Sequence, residues 1–242
     1  MAESSKVWYH GTPDARKVKE QGGFEGRTNS ITFITDIEKW EQIKSELKDA
    51  RKNDEGLYFK LLDQVGQFTK DLSLKKPIFL SDNHGVARTY ADQKRAFDYQ
   101  NAEPDTFKVK VDSGKNLKIP VFGDTFRGIN IGKVKKALLN HGISDSDIDR
   151  TFKRFQYNIK NDKMDTSVVS AIAQMYDFDI VDVVGVLDSY NVGKSKSTVR
   201  MVFDHNRVKI INNETEIEEA NPIIAMPDIP KGNITRAVAH IE

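Results

Sequence analysis

Apolar positions along the chain follow two rhythms. Val7 to His10 is a short apolar and aromatic run ending at HGT, and ITFIT at residues 31 to 35 is a second run rich in β-branched residues, so both predict strands. From Asp36 the period lengthens. Ile37, Trp40, Ile43 and Leu47 recur at helical spacing behind an aspartate placed to cap the first turn. Leu57, Leu61, Val65, Phe68 and Leu72 continue near the same period, predicting a second helix after the polar break at 53 to 56. Together they predict a helical insertion over about 36–75.

Strand-like runs return at PIFLS (77 to 81) and FKVKV (107 to 111), and between them Val86, Ala87 and Tyr90 share one face of a short helix. The charged middle, about 124–177, has helical stripes at Val134, Leu138 and Leu139 and at Ile148, Phe152 and Phe155, predicting a second helical insertion. Then come the β-branched runs 179 to 187, 198 to 203 and 208 to 211, with a Gly/Ser/Lys-rich loop at 189 to 197. Beyond residue 212 lie the acidic ETEIEE and prolines 222, 227 and 230, which predict a surface-wrapping extension over 213–242. The expectation is an α+β domain over 1–212 carrying two helical insertions.

Charge and composition narrow the function. With 37 Lys+Arg against 36 Asp+Glu the net charge is +1, so no global field steers the chain to nucleic acid, which is an unexpected partner. The absence of cysteine excludes disulfides, thiolate metal sites and a cysteine nucleophile. No apolar run is long enough for a membrane span, and MAESSKVWYH lacks the basic and apolar regions of a signal peptide. The expected setting is therefore cytoplasmic, with no membrane partner.

Generic motifs fall away on inspection. DSYNVGKS, Asp188 to Ser195, nearly matches a phosphate-binding loop, but strand-like residues follow it where a helix is required. The five histidines form no pair at metal-ligand spacing, and neither GxSxG nor a strand-borne GxGxxG occurs. Two segments remain: VWYHGT, with a histidine ending a short strand, and PIFLSDNHGVARTYAD, with Phe79 on a strand and Tyr90 on the helix after it. ITFITDIEKWEQI is also strand then helix, but has no tyrosine at that spacing. In the plainest reading His10 is a half-buried strand-end histidine, Tyr90 an edge-of-core residue, Asp188 a turn residue, and Lys133, Lys135 and Lys136 a solvated helix face.

These segments resemble the ADP-ribosyltransferase superfamily, in its His-Tyr-Glu branch of diphtheria-toxin and poly(ADP-ribose) polymerase type, and most of all its phage and mobile-element members. The step from Phe79 to Tyr90 agrees with the family's spacing of two stacking aromatics, and VFDHNRVKI resembles its closing strands. The likeness spans about Lys6 to Gly23, Lys76 to Lys118 and Asp179 to Ile211. It implies a split antiparallel β core with a cleft for NAD, the substrate. His10 would hydrogen-bond a ribose hydroxyl, the Gly11 backbone would hold the nicotinamide amide, and Thr12 would support that turn. Phe79 and Tyr90 would sandwich the cationic nicotinamide ring.

The implied activity is mono-ADP-ribosyl transfer from NAD to a macromolecular acceptor, expected to be a protein, in a host cytoplasm or virion if the gene is phage-borne. One departure stands out. The family's third residue is a glutamate on the closing strand, yet Ser197, Thr198 or Val199 aligns there and no Glu occurs between Glu103 and Glu214. Asp188 and Asp204 are the nearest carboxylates in sequence: either substitutes for the glutamate, with Asp188 the expected catalytic residue beside His10 and Tyr90, or the triad is incomplete. Water as acceptor would make a glycohydrolase, and a related NAD-dependent RNA 2′-phosphotransferase would want a basic cleft. The reading from another class is a non-catalytic binding or virion structural protein that keeps the scaffold.

Overall fold

The computed structural model describes residues 6–98, 103–122, 125, 128–187 and 196–211, and of 93–98 the backbone only. All belong to the first of the two units into which the chain divides, Met1–Ile211. Asp188, the loop after it and the extension expected over 213–242 lie outside the described residues.

In chain order the elements are β1 (Trp8–Thr12), α1 (Arg16–Gln21), β2 (Thr28–Ile34), α2 (Ile37–Asn53), α3 (Glu55–Gln67), β3 (Thr69–Lys75), β4 (Ile78–Ser81) and α4 (His84–Asp98). There follow β5 (Asp105–Val111), β6 (Asn116–Pro120), β7 (Ile129–Asn130), α5 (Ile131–Asn140), α6 (Asp145–Arg154), β8 (Lys163–Met164) and α7 (Thr166–Met175). The last are β9 (Ile180–Leu187), β10 (Lys196–Val202) and β11 (Val208–Ile210). The α+β class expected from the sequence is what is observed.

The main sheet has seven strands in the order β11-β5-β1-β4-β10-β9-β6. Its pairs are antiparallel except β6 with β9, so the core is mixed where an all-antiparallel one was expected. Two further differences have physical causes. The helix expected to run through Leu72 stops at Gln67, and Leu72 lies in β3, where alternating TKDLSLK pairs with β2 in a separate hairpin. Leu72 satisfies both periods, and the partner strand decides between them. The second insertion is likewise not purely helical, since β7 and β8 pair within it.

Each face of the sheet has its own core. One buries Leu117, Ile119, Val181, Val183 and Met201 beneath α5 and α7 residues such as Val134, Leu138, Val169 and Ile172. The other gathers Trp8, Leu80, Val109, Val111, Ile180 and Val202. On this second side Arg200 donates twice to Asp182, from Nε and Nη2 at 2.7 Å each, and lies 4.0 Å from the centroid of the Trp8 ring. Asn116 adds a 2.7 Å bond to the same carboxylate. Both charges are almost wholly buried, at 3% and 7% exposure, so each depends on the other for solvation.

Breaking that pair from one side strands a charge. Asp182→Asn is expected to lower unfolding free energy by about 3–5 kcal/mol, and an apolar double replacement at Asp182 and Arg200 to recover most of it. Urea titration with an unchanged slope checks this.

Candidate functional site

The site is built on the β4–α4 corner. Asn83 caps α4, its side-chain oxygen accepting from the Val86 amide at 3.3 Å, while the Ser81 hydroxyl accepts from the Asn83 amide at 3.1 Å. The helix lies on β1 through small residues. Ala87 and Ala91 are buried, and a Cβ on Gly11 would sit 1.8 Å from the Ala87 carbonyl oxygen. Gly11 is therefore required by packing, independently of any ligand. At the start of the helix His84 meets Tyr9 edge-on, with ring centroids 5.1 Å apart.

Register then fixes what shares a level. Tyr9 pairs with Ser81, so two residues further along the antiparallel strands Gly11 stands across from Phe79. Strand alternation puts Tyr9 and Gly11 on the α4 face, and puts Phe79 there too, because Ile78 and Leu80 pack in the opposite core. Tyr90 adjoins Ala91 at the Gly11 contact. Phe79 and Tyr90 keep 38% and 40% exposure, large for aromatic rings in a folded core.

His10 is not beside them on that face. Its ring points to the other side of β1, edge-on to Phe24 at 4.8 Å, near Phe107, its cross-strand partner. From there its Nδ1 donates to the Phe79 carbonyl at 2.9 Å, bridging β1 and β4 where their ladder ends. A carbonyl only accepts, so the proton is on Nδ1 and Nε2 carries a lone pair. Burial pushes the His10 pKa below its usual 6.5, outweighing the backbone hydrogen bond. Thr12 donates to the Asp14 carbonyl at 3.0 Å and so closes the turn that leaves β1.

A cavity of about 90 Å³ is floored by Phe79 and walled by Ser30, Ile31, Pro77, Thr166 and Ser170. It adjoins an open groove of about 660 Å³, the two sharing Asn29, Ser30, Ile31 and Ser167. Neither this groove nor the Phe24 contact was read from the sequence. Only the isolated aromatic in GGFEG hinted at the latter.

The closing strand supplies no free carboxylate beside Phe79. Val199 pairs with Ser81 on β4, and the Ser197 hydroxyl is buried without a partner. Asp82 accepts from the Thr198 amide at 2.8 Å and from Lys6 at 3.1 Å. Asp204, two residues past the end of β10, caps the turn at His205–Arg207 by accepting from the Asn206 amide at 3.1 Å. It lies at the Phe79 end of the strand, since Met201 pairs with Phe79. Asp188 lies outside the described residues. Among the described residues no cluster suited to a metal ion occurs, and no helix is long and apolar enough to cross a membrane.

No protein-family model, curated protein or solved structure matches the chain.

Two outcomes follow. A methyl group at position 11 must displace helix backbone, so Gly11→Ala is expected to cost at least about 1–3 kcal/mol, whereas Gly23→Ala, with nothing within 4 Å, should be nearly neutral in thermal melts. Because His10 is held neutral, its contribution to stability is present above its unfolded pKa near 6.5 and is lost as pH falls below that value. Denaturant titrations should therefore show the wild type losing more stability than His10→Gln between neutral and mildly acidic pH.

Proposed function

We propose that the protein transfers a single ADP-ribose from NAD to a protein acceptor, releasing nicotinamide. The observation that carries this reading is that two exposed rings flank Gly11 in the chain's register: Phe79 stands across from it on β4, and Tyr90 is next to Ala91, whose amide meets Gly11. Two aromatic faces so placed suit a flat cationic ring, which nicotinamide is while its glycosidic bond is intact. The spacing that resembles the His-Tyr-Glu branch of the ADP-ribosyltransferases is the spacing of these two rings.

The chemistry asked of the site is modest in parts. The bond from ribose C1′ to the nicotinamide nitrogen breaks with its electron pair leaving on nicotinamide. An acceptor oxygen or nitrogen then bonds C1′ and loses its proton. Charge develops as in glycoside cleavage, through an oxocarbenium-like state. Phe79 and Tyr90 hold the leaving ring, and the Gly11 backbone offers the carboxamide its hydrogen bonds. His10 acts from beneath, as a positioning residue: from the opposite side of β1 its Nδ1–H fixes the Phe79 peptide.

A second reading has its own support. Ser197, Thr198 or Val199 aligns where the ADP-ribosyltransferases that the sequence resembles carry glutamate, and Asp82 and Asp182 are both engaged in structural bonds. A scaffold that binds without catalysing is consistent with that arrangement.

Calorimetry and label transfer separate the two. The transfer reading expects NAD to bind, Tyr90→Ala to abolish binding, and labelled ADP-ribose to reach lysate protein with wild type but not with Phe79→Ala. Absence of NAD binding at millimolar concentration, or binding indifferent to Tyr90, overturns it. Binding without nicotinamide release supports the scaffold.

A further inference from the structure

The hairpin of β2 and β3 lies apart from the main sheet, and its bonding pattern determines what its outer edge offers. Thr35 donates to the Phe68 carbonyl at 2.8 Å and Lys76 to the Arg27 carbonyl at 2.7 Å, just beyond the two ends of the paired strands. Odd-numbered residues of β2 therefore exchange bonds with β3, and Thr28, Ser30 and Thr32 turn their N–H and C=O groups outward. The Thr32 carbonyl is covered, accepting from the Asn158 side chain at 2.6 Å. Thr28 and Ser30 are exposed, and among the described residues nothing bonds their outward backbone groups. Ser30 lines both the groove and the cavity over Phe79.

Across the groove stands a rigid pair of lysines. Lys160 and Lys163 exchange backbone bonds at 3.0 Å in both directions around Asn161 and Asp162, whose φ values of 50° and 56° are those of a tight primed turn. Both side chains are exposed and neither has a carboxylate partner among the described residues. Lys75 and Lys76 line the adjoining cavity. Among the described residues the one acidic group in the groove, Asp165, is turned to the start of α7, accepting from the Ser167 and Val168 amides at 2.9 and 3.0 Å.

We propose that this edge docks an extended acidic segment of the acceptor protein as an added strand beside β2. Alternating donors and acceptors at Thr28 and Ser30 match a peptide backbone, and the lysines match carboxylates on its side chains. A nucleic acid strand would meet the lysines but has no backbone donors and acceptors at that spacing. The role as acceptor rests on the transfer reading above. Docking itself does not.

The test uses the full chain and a fluorescein-labelled peptide of alternating glutamate and threonine, followed by anisotropy without NAD. Binding is expected, weakened by salt, and absent for the matching lysine-threonine peptide. Ser30→Pro removes the outward N–H without breaking a bond to β3, and should weaken binding about threefold to tenfold, the worth of one backbone hydrogen bond. Joint replacement Lys160→Glu and Lys163→Glu should abolish it and stands independently should the proline variant melt early. No binding by the wild type, binding unchanged in the lysine variant, or equal binding of an oligonucleotide of the same charge overturns the proposal. Peptide binding with no NAD binding anywhere would keep the docking edge and sink the transfer reading instead.

Discussion

The close approach of α4 to β1 at Gly11 governs the arrangement of the candidate site. With no Cβ on the strand and only Ala87 and Ala91 on the helix, backbone lies nearly on backbone. That contact sets the height of α4 on the sheet, and the Asn83 cap and the Tyr9–His84 contact fix where the helix begins. Once both are fixed, the place of Tyr90 on the helix, beside Ala91, is fixed with them. A site assembled by close packing is held more firmly than one carried on loops.

The two faces of the sheet divide the labour. The face bearing α4, α5 and α7 is thickly covered and holds the larger core, and it is this face that exposes Phe79 beside a cavity. The other has a smaller core and tolerates a buried ion pair because Asp182, Arg200, Asn116 and the Trp8 ring satisfy one another. His10 belongs by its ring to this second side and by its hydrogen bond to the first. It is the link between them at the point where β1 and β4 separate.

What could be read from the chain was what its signals keep local. The β4–α4 unit combines an apolar run, a capping asparagine and a helical stripe within fifteen or so residues, and the helix forms where the pattern places it. Strand β3 was hidden because Leu72 fits the helical stripe before it and the alternation after it. Strand β6, NLKIP, was hidden by its shortness and its lysine and proline, and because its partner β9 is distant in sequence. The side of His10 was legible in principle: period two along Trp8, Tyr9, His10 and Gly11 already sets it opposite Gly11. The groove was not, since residues 29–31 and 160–167 meet only through tertiary packing.

The carboxylates near the site bear on how a cationic transition state could be served. Among the described residues Asp82 is committed to the Thr198 amide and Lys6, and Asp182 to Arg200 on the other side of the sheet, so neither is free to turn toward the Phe79 face. Under the transfer reading, a ribose that becomes positive in such a place draws on charge that the acceptor itself can bring. An acidic segment laid along β2 would carry carboxylates past Ser30 to the cavity over Phe79. Under that reading acceptor recognition and charge stabilisation would be one interaction, and the site would discriminate in favour of acidic acceptors.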